Sequence, residues 1–257
     1  MKNIIILGSG RSGTSMLTGS LANAGYFLGD NVNYLGKNKA NPKGFFEDYE
    51  INTINEDILE HTIPYKLHEQ IRKRFFSSFT FYRARWLLKL PNWFKVKSTK
   101  SINNRINEVI LNEPFCFKDP RFSYTLPIWE QFLNNNACFI VIFREPNKTA
   151  VSMVRECNES KPLQSLKMTE KRALKVWKAM YSNILKIYNK SNNKEQWMFL
   201  HYNQMFNPQK IEQLESFIEA KIDMSFPNKD ISRTSEDNIK LNSSYKNIYN
   251  QLNKLAK

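Results

Sequence analysis

Short apolar runs alternate along the chain with longer amphipathic segments. The apolar runs are residues 3–8, 115–117, 137–143 and 197–200. Runs of this length without polar alternation are typical of parallel strands that are buried on both faces. Helical spacing of apolar residues indicates helices at 15–24, 51–59, 169–189, 211–218 and 244–255, with another beginning at Pro146. Strands separated by helices predict an α/β fold, in which a central parallel sheet is flanked by helices.

The first predicted strand leads into a glycine-rich loop, Gly8-Ser9-Gly10-Arg11-Ser12-Gly13-Thr14-Ser15. Its glycine spacing is that of a P-loop, in which backbone N–H groups at a helix N-terminus bind phosphate. The lysine that a P-loop NTPase needs is replaced by Thr14, and Arg11 supplies a cation instead. The loop therefore predicts a three-layer P-loop-like fold and a phosphate-like ligand, and it argues against ATP or GTP hydrolysis. The alternative is a plain glycine turn that only joins strand to helix.

Composition narrows the class of protein. The chain has 257 residues, 41% of them hydrophobic, which is enough to bury a core. No apolar run approaches ~18 residues, which excludes a membrane-spanning helix, and the glycine loop stands where a signal peptide would be cleaved. Cys116, Cys138 and Cys157 show neither zinc-site nor disulfide spacing. We expect one domain over residues 1–257, with an insert at about 62–110, in a reducing cytoplasm and without a metal.

The positive charge is concentrated in one aromatic segment. The chain carries +14 overall, and residues 66–105 hold eleven Lys or Arg against one acid, Glu69. Basic residues interleaved with aromatics can bind nucleic acid, an anionic glycan or an anionic membrane surface. They can equally form an amphipathic, mostly helical insert whose aromatics pack on the core. The sequence leaves these interpretations open.

Several motifs together resemble sulfotransferases that use 3′-phosphoadenosine 5′-phosphosulfate (PAPS). Arg11-Ser12-Gly13-Thr14-Ser15 resembles the family's loop for the 5′-phosphosulfate, and Arg144 with Ser152 resembles its element for the 3′-phosphate. Residues 41–47 (Asn-Pro-Lys-Gly-Phe-Phe-Glu) and 118–121 (Lys-Asp-Pro-Arg) are similar to segments of its bacterial and carbohydrate branches. Residues 200–208 match a further element, except that Asn203 and Gln204 replace two acids.

The resemblance implies a sulfuryl transfer from PAPS to an acceptor, with adenosine 3′,5′-bisphosphate as the product. We expect Glu47 to be the base, because burial beside Phe45 and Phe46 would raise its pKa. Arg11 and Lys118 are the candidate cations at the reacting group. The rival bases are Asp48, Glu50, His61 and His68, whereas we expect His201 to be structural, and Asp119 to pair with Arg121 and hold Lys118.

The acceptor is expected to present a hydroxyl group, with an amine as the alternative, on a glycan, a glycolipid or a small molecule. An anionic or lipid-linked acceptor would suit residues 66–105, which could also touch a membrane surface. No nucleic-acid partner is expected, and the oligomeric state stays open. A function of another class is a non-catalytic module that binds polyanions or nucleic acid on a degenerate P-loop fold. A nucleotide kinase is disfavoured because the P-loop lysine is absent.

Overall fold

The computed structural model describes residues 1–32, 35–37, 42–62, 84–91, 93–227 and 241–257. Its strands are β1 (Asn3–Leu7), β2 (Cys116–Lys118), β3 (Ala137–Phe143) and β4 (Trp197–His201). Its α-helices are α1 (Thr14–Leu21), α2 (Tyr49–Thr62), α3 (Lys100–Val109), α4 (Phe122–Trp129), α5 (Pro146–Glu159), α6 (Lys161–Gln164), α7 (Glu170–Lys190), α8 (Pro208–Ile218) and α9 (Ser243–Leu255). All four predicted strands are therefore present, with ends within a residue or so of the predicted ones.

The strands form one parallel sheet in the order β2-β1-β3-β4. Successive side chains point to opposite faces of a strand, and both faces of β1 are buried. Ile4 and Ile6 pack with α1 and α8, whereas Ile5 and Leu7 pack with helices that include α2, α4 and α7. The predicted three-layer α/β architecture is confirmed, because helices cover both faces of the sheet.

The observed helix boundaries depend on local residue chemistry as well as on the apolar spacing that predicted them. Helix α5 begins at Pro146 as predicted, since a first-turn proline loses no hydrogen bond there. Helix α1 ends at Leu21 rather than near residue 24, and continues only as a turn. Residues 45–48 form no strand; Asp48 accepts hydrogen bonds from Glu50 N and Ile51 N at the start of α2.

The predicted basic and aromatic insert is only partly described. Residues 63–83 and 92 of the predicted insert lie outside the described residues. The described part contains a 3₁₀ turn, Arg85–Leu87, and helix α3. Arg105 pairs with Glu50 and Asp57 on α2, at 2.6 Å each, so part of this charge is neutralised within the fold.

None of the helices in the described part of the chain is long and apolar enough to cross a membrane.

Candidate active site

The motifs singled out in the sequence meet at one edge of the sheet. The carboxyl ends of parallel strands lie at the same edge, and ligands of such folds bind there. Across this edge, in spatial order, come Lys118 from β2, the glycine loop from β1, Arg144 after β3 and Tyr202 after β4. Residues far apart in sequence are therefore neighbours, because strand order places β1 between β2 and β3.

The glycine loop is supported from below by Tyr181 on α7. The Tyr181 hydroxyl donates to the carbonyl of Ile142 at 2.8 Å and accepts from Ser9 N at 3.3 Å. Burial raises the pKa of Tyr181 to about 12, so the hydroxyl keeps the proton that it donates. Inside the loop, the Ser9 and Ser12 hydroxyls are 2.6 Å apart. The loop is thus held in one conformation by a buried tyrosine and by its own serines.

Two aromatic rings lie directly against the loop backbone. A Cβ atom at Gly10 would lie 2.5 Å from the ring of Trp86, so only glycine allows this contact. Gly13 has a φ of +101°, and a Cβ there would lie 2.7 Å from the ring of Tyr202. Trp86 belongs to the described part of the basic and aromatic segment and forms one wall of the site.

Arg11 reaches from the loop to helix α5. Its backbone has a φ of +71°, an uncommon value for a residue with a side chain. Its Nε donates to the Ser152 hydroxyl at 3.1 Å, and its Nη1 lies 3.3 Å from Glu156 Oε2. Burial lowers the pKa of Arg11, although an arginine remains protonated in proteins. The structure thus brings together Arg11 and Ser152, which the resemblance placed in two different phosphate sites.

Arg144 lies on the other side of the same cleft. Its side chain is only 11% exposed, and its guanidinium carbon is 4.6 Å from the centre of the Tyr202 ring. The same ring lies against Gly13, where an added Cβ would be 2.7 Å from it. The Tyr202 ring therefore contacts both Arg144 and the glycine loop, which is compatible with a single ligand that contacts both.

Lys118 and Glu47 form a buried ion pair next to the loop. Lys118 Nζ lies 2.5 Å from Glu47 Oε1 and 3.5 Å from the hydroxyl of Ser15 at the start of α1. Ser15 also donates to the carbonyl of Phe45 at 3.0 Å, which ties the segment before α2 to the glycine loop. Burial lowers the pKa of Lys118, and the Glu47 carboxylate opposes that shift. Glu47 is therefore buried, as expected, and it is paired with Lys118, a contact that the sequence did not indicate.

Beneath Lys118, a buried charge network holds the turn that follows β2. Arg121 contacts Asp119 Oδ1 at 2.9 Å, as expected, and also Glu56 Oε1 at 2.6 Å. Glu56 in turn pairs with Arg85 at 2.6 Å. Asn52 and Asn55 each donate to Asp119 Oδ2 at 3.0 Å, which completes the satisfaction of its buried carboxylate. The network fastens Lys118 to α2 and to the Trp86 wall.

Of the rival bases, two carboxylates have other partners, one histidine is exposed and the other lies outside the described residues. Asp48 caps α2, and Glu50 pairs with Arg105. His61 is exposed near the end of α2, and His68 is outside the described residues, as is Asn41 of the 41–47 motif.

His201 and the element that follows it have an architectural setting. His201 Nε2 lies 3.6 Å from Glu145 and 3.1 Å from the Tyr249 hydroxyl, and its Nδ1 accepts from Asn203 N. Gln204, which replaces an acid of the family element, accepts from His201 N and donates to the carbonyl of Ala256. An amide serves here because it both donates and accepts.

Four residues of this cleft were not predicted as site residues: Trp86, Glu156, Tyr181 and Tyr202. Tyr202 lies in a motif that the sequence did indicate, and Glu156 is four residues after Ser152, on the same face of α5. Trp86 and Tyr181 carry no local signal, because each reaches the loop only through tertiary packing. Among the described residues, no cluster of His, Cys, Asp and Glu has the grouping of a metal site.

A parallel sheet with a glycine loop, two further cations and a buried carboxylate at its carboxyl edge is the architecture of a P-loop-like α/β protein. Residues 3–222 match a family described as "Sulfotransferase family", so this chain belongs to the sulfotransferase family. Comparison with curated protein sequences gives no match.

Two solved structures share the fold along nearly their whole length. The sulfotransferase domain from the curacin biosynthetic pathway has a TM-score of 0.56 at 17% identity, and the match covers 98% of this chain and 97% of that one. The sulfotransferase domain from the Synechococcus PCC 7002 olefin synthase has a TM-score of 0.55 at 14% identity, with 98% and 96% covered. At these identities the likeness shows the fold alone.

Proposed function

We propose that this sulfotransferase takes its sulfuryl group from PAPS and transfers it to a hydroxyl group of an acceptor. The supporting observation is that Arg11 contacts Ser152 at the carboxyl edge of the sheet, where the Tyr202 ring contacts both Arg144 and the glycine loop. A donor with phosphate groups on the 3′ and 5′ positions of one ribose needs two neighbouring sets of cations and donors, one for each phosphate. The donor set fits such a ligand, because guanidinium groups, hydroxyls and a helix N-terminus all favour anions.

The cofactor-binding residues of this proposal fall into two sets. Arg11, Ser12, Gly13, Thr14 and Ser15 would hold the 5′-phosphosulfate through the loop and the N-terminus of α1. Arg144 and Ser152 would hold the 3′-phosphate. Ser15 then has a second role, since its hydroxyl already connects α1 to Phe45.

PAPS, when bound, supplies the sulfuryl group for an in-line displacement. Glu47 takes the proton of the acceptor hydroxyl, because it is buried beside Lys118 and Ser15, whereas Glu156, a second buried carboxylate at the loop, contacts Arg11. Lys118 holds Glu47 in place before the acceptor arrives, and its ammonium faces Ser15 on α1. The charges of Lys118 and Arg11 stabilise the negative charge that develops during transfer.

The acceptor would enter past the wall that carries Trp86. Aromatic and basic residues on this wall suit a glycan, a glycolipid or an anionic small molecule, with an amine as the alternative acceptor group. A cytoplasmic location, a single domain over residues 1–257 and contact of residues 66–105 with a membrane surface belong to the same proposal.

The first prediction concerns nucleotide binding. Adenosine 3′,5′-bisphosphate should raise the melting temperature more than ADP or AMP does, because only the bisphosphate contacts both sets of residues. Arg144→Ala should weaken its binding by at least about ten-fold, since a charged contact is worth more than ~1.4 kcal/mol. Lys161→Ala, which removes an exposed cation just beyond α5, is the control and should leave binding unchanged.

Equal stabilisation by all three nucleotides, or no effect of Arg144→Ala, would contradict PAPS as the donor. Binding of polyanions that weakens steeply with salt, without any specific bisphosphate binding, would instead favour the non-catalytic module.

The second prediction separates binding from chemistry. Glu47→Gln keeps the shape and hydrogen bonding of the side chain but removes the base, so bisphosphate affinity should change less than about three-fold. Turnover should fall by about 10²–10⁴-fold, the usual contribution of a positioned base. The measurement is sulfate transfer to a panel of hydroxyl acceptors, and near-normal turnover in Glu47→Gln would show that another group is the base.

A further inference from the structure

A buried carboxylate lies inside one of the proposed anion sites. The Glu156 side chain is only 6% exposed, and its Oε2 is 3.3 Å from Nη1 of Arg11. Ser152 and Glu156 are four residues apart on α5, so both face Arg11 from the same side of that helix. The guanidinium that should receive the phosphosulfate therefore already contacts an anion supplied by the protein.

The charges around this pair explain why an acid is placed there. Arg144 and Arg155 both repel Arg11, whereas Glu156 and, more weakly, Glu159 attract it. A buried charge without a partner is strongly unfavourable, so a guanidinium in a cleft that contains further arginines needs a counter-ion. Glu156 provides it while no donor is bound.

We propose that Glu156 is an internal counter-ion that opposes the binding of the anionic donor and promotes release of the bisphosphate product. This inference rests on the proposed function, in which Arg11 binds the phosphosulfate. Glu156 and a phosphate group are attracted to the same guanidinium and repel one another. Binding of the nucleotide has to weaken the Arg11–Glu156 contact, and loss of the nucleotide restores it.

The consequence is a lower affinity for nucleotide and a faster departure of product. Product release limits the turnover of many enzymes, so a counter-ion of this kind would shorten the catalytic cycle. A purely orienting role for Glu156 predicts the opposite sign, because removal of an orienting group weakens binding.

The test is the affinity of Glu156→Gln for adenosine 3′,5′-bisphosphate, measured by isothermal titration calorimetry at fixed ionic strength. We expect binding at least about ten-fold tighter than in the wild type, since ~1.4 kcal/mol of relieved repulsion gives that factor. The rate constant for bisphosphate dissociation, measured by stopped-flow displacement, should fall in parallel. Glu159→Gln makes the same change of charge at an exposed position three residues further along the chain, and its affinity should stay within about two-fold of the wild type.

Each outcome decides the question. Equal or weaker binding by Glu156→Gln overturns the inference, as does an equal gain in Glu159→Gln, which would reflect net charge alone. If Glu156→Gln does not fold, Glu156→Asp keeps the charge but shortens its reach; tighter binding supports the inference and unchanged or weaker binding overturns it. Failure of the wild type to bind the bisphosphate overturns the proposed function itself, together with this inference.

Discussion

At the scale of single residues, the charges of this cleft are arranged as buried pairs. Arg11 faces Glu156, Lys118 faces Glu47, and Glu56 lies between Arg85 and Arg121. Burial of one charge is unfavourable, so each buried cation that could serve an anionic ligand has an acid beside it. The pairs differ in what surrounds them: Glu56 is fully enclosed by arginines, whereas the other two lie next to the glycine loop.

We therefore expect a substitution of Glu56 to change stability rather than activity. Glu56→Gln removes the buried carboxylate that Arg85 and Arg121 share, leaving Asp119 beside Arg121 and the exposed Glu60 beside Arg85, and should lower the free energy of unfolding by up to about 3–5 kcal/mol at pH 7. Urea denaturation measures this change. Glu60→Gln is the control, because Glu60 contacts Arg85 but is 59% exposed, and the loss should stay below about 1 kcal/mol.

The same residue should shape the response of stability to acid. Burial raises the pKa of Glu56, but the two arginines outweigh it, so the pKa lies below its ordinary value of 4.5. Because the folded pKa is depressed, the stabilisation is fully present above pH 4.5 and is lost as the pH falls through the lower folded value. The wild type should consequently lose stability below pH 4.5 more steeply than Glu56→Gln, and parallel curves would contradict this assignment.

At the scale of elements, the start of α2 positions the proposed base. Asp48 Oδ1 accepts from Glu50 N and Ile51 N, and its Oδ2 accepts from Asn31 N at 2.8 Å. Glu47 is the preceding residue, so the cap that begins the helix also determines where Glu47 lies. One turn of the chain therefore both caps the helix and positions Glu47, the proposed base.

Asp48→Ala should therefore impair both stability and turnover. Loss of an N-cap acceptor costs about 1–2 kcal/mol of unfolding free energy, and the displaced Glu47 should lower turnover more than bisphosphate affinity. Asp48→Asn is the matched variant, because an asparagine retains the capping oxygen, although its NH2 group replaces the Oδ2 that accepts from Asn31 N. If Asp48→Asn were as impaired as Asp48→Ala, the charge of Asp48 or its bond to Asn31, rather than its capping bonds, would be the important property.

At the scale of the whole molecule, a helix near the end of the chain packs into the core beside the sheet. Helix α9 near the end of the chain places Leu252, which is fully buried, in the cluster that contains Phe143 of β3 and Tyr181 of α7. Tyr249 of the same helix contacts His201 at the carboxyl edge. The environment of the cleft thus depends on a segment more than a hundred residues away from Arg144.

Leu252→Ala should report this dependence. Removal of a fully buried leucine side chain costs about 2–5 kcal/mol through lost burial and the cavity left behind. The melting temperature should fall, and bisphosphate should recover part of the loss because it binds only the folded chain. Gln251→Ala, at an exposed position on the same helix, should leave the melting temperature within a degree or two of the wild type.

The sequence by itself determined the fold class and the places where chemistry is concentrated. Buried parallel strands are continuous apolar runs, so β1, β3 and β4 could be located from local pattern alone. The glycine loop could also be located from the sequence, since its backbone conformation requires glycine at fixed positions. Both signals are local. By the geometry of a parallel sheet, the carboxyl ends of its strands also lie at one shared edge.

Only the tertiary structure decided which side chains meet at that edge. Strand order places β1 between β2 and β3, and this brings Lys118 to Ser15 and Arg11 to Ser152, contacts that span 103 and 141 residues. Trp86 and Glu156 became part of the cleft in the same way. No local pattern encodes such contacts, because they depend on how separate elements pack to bury apolar surface and to pair the charges that packing encloses.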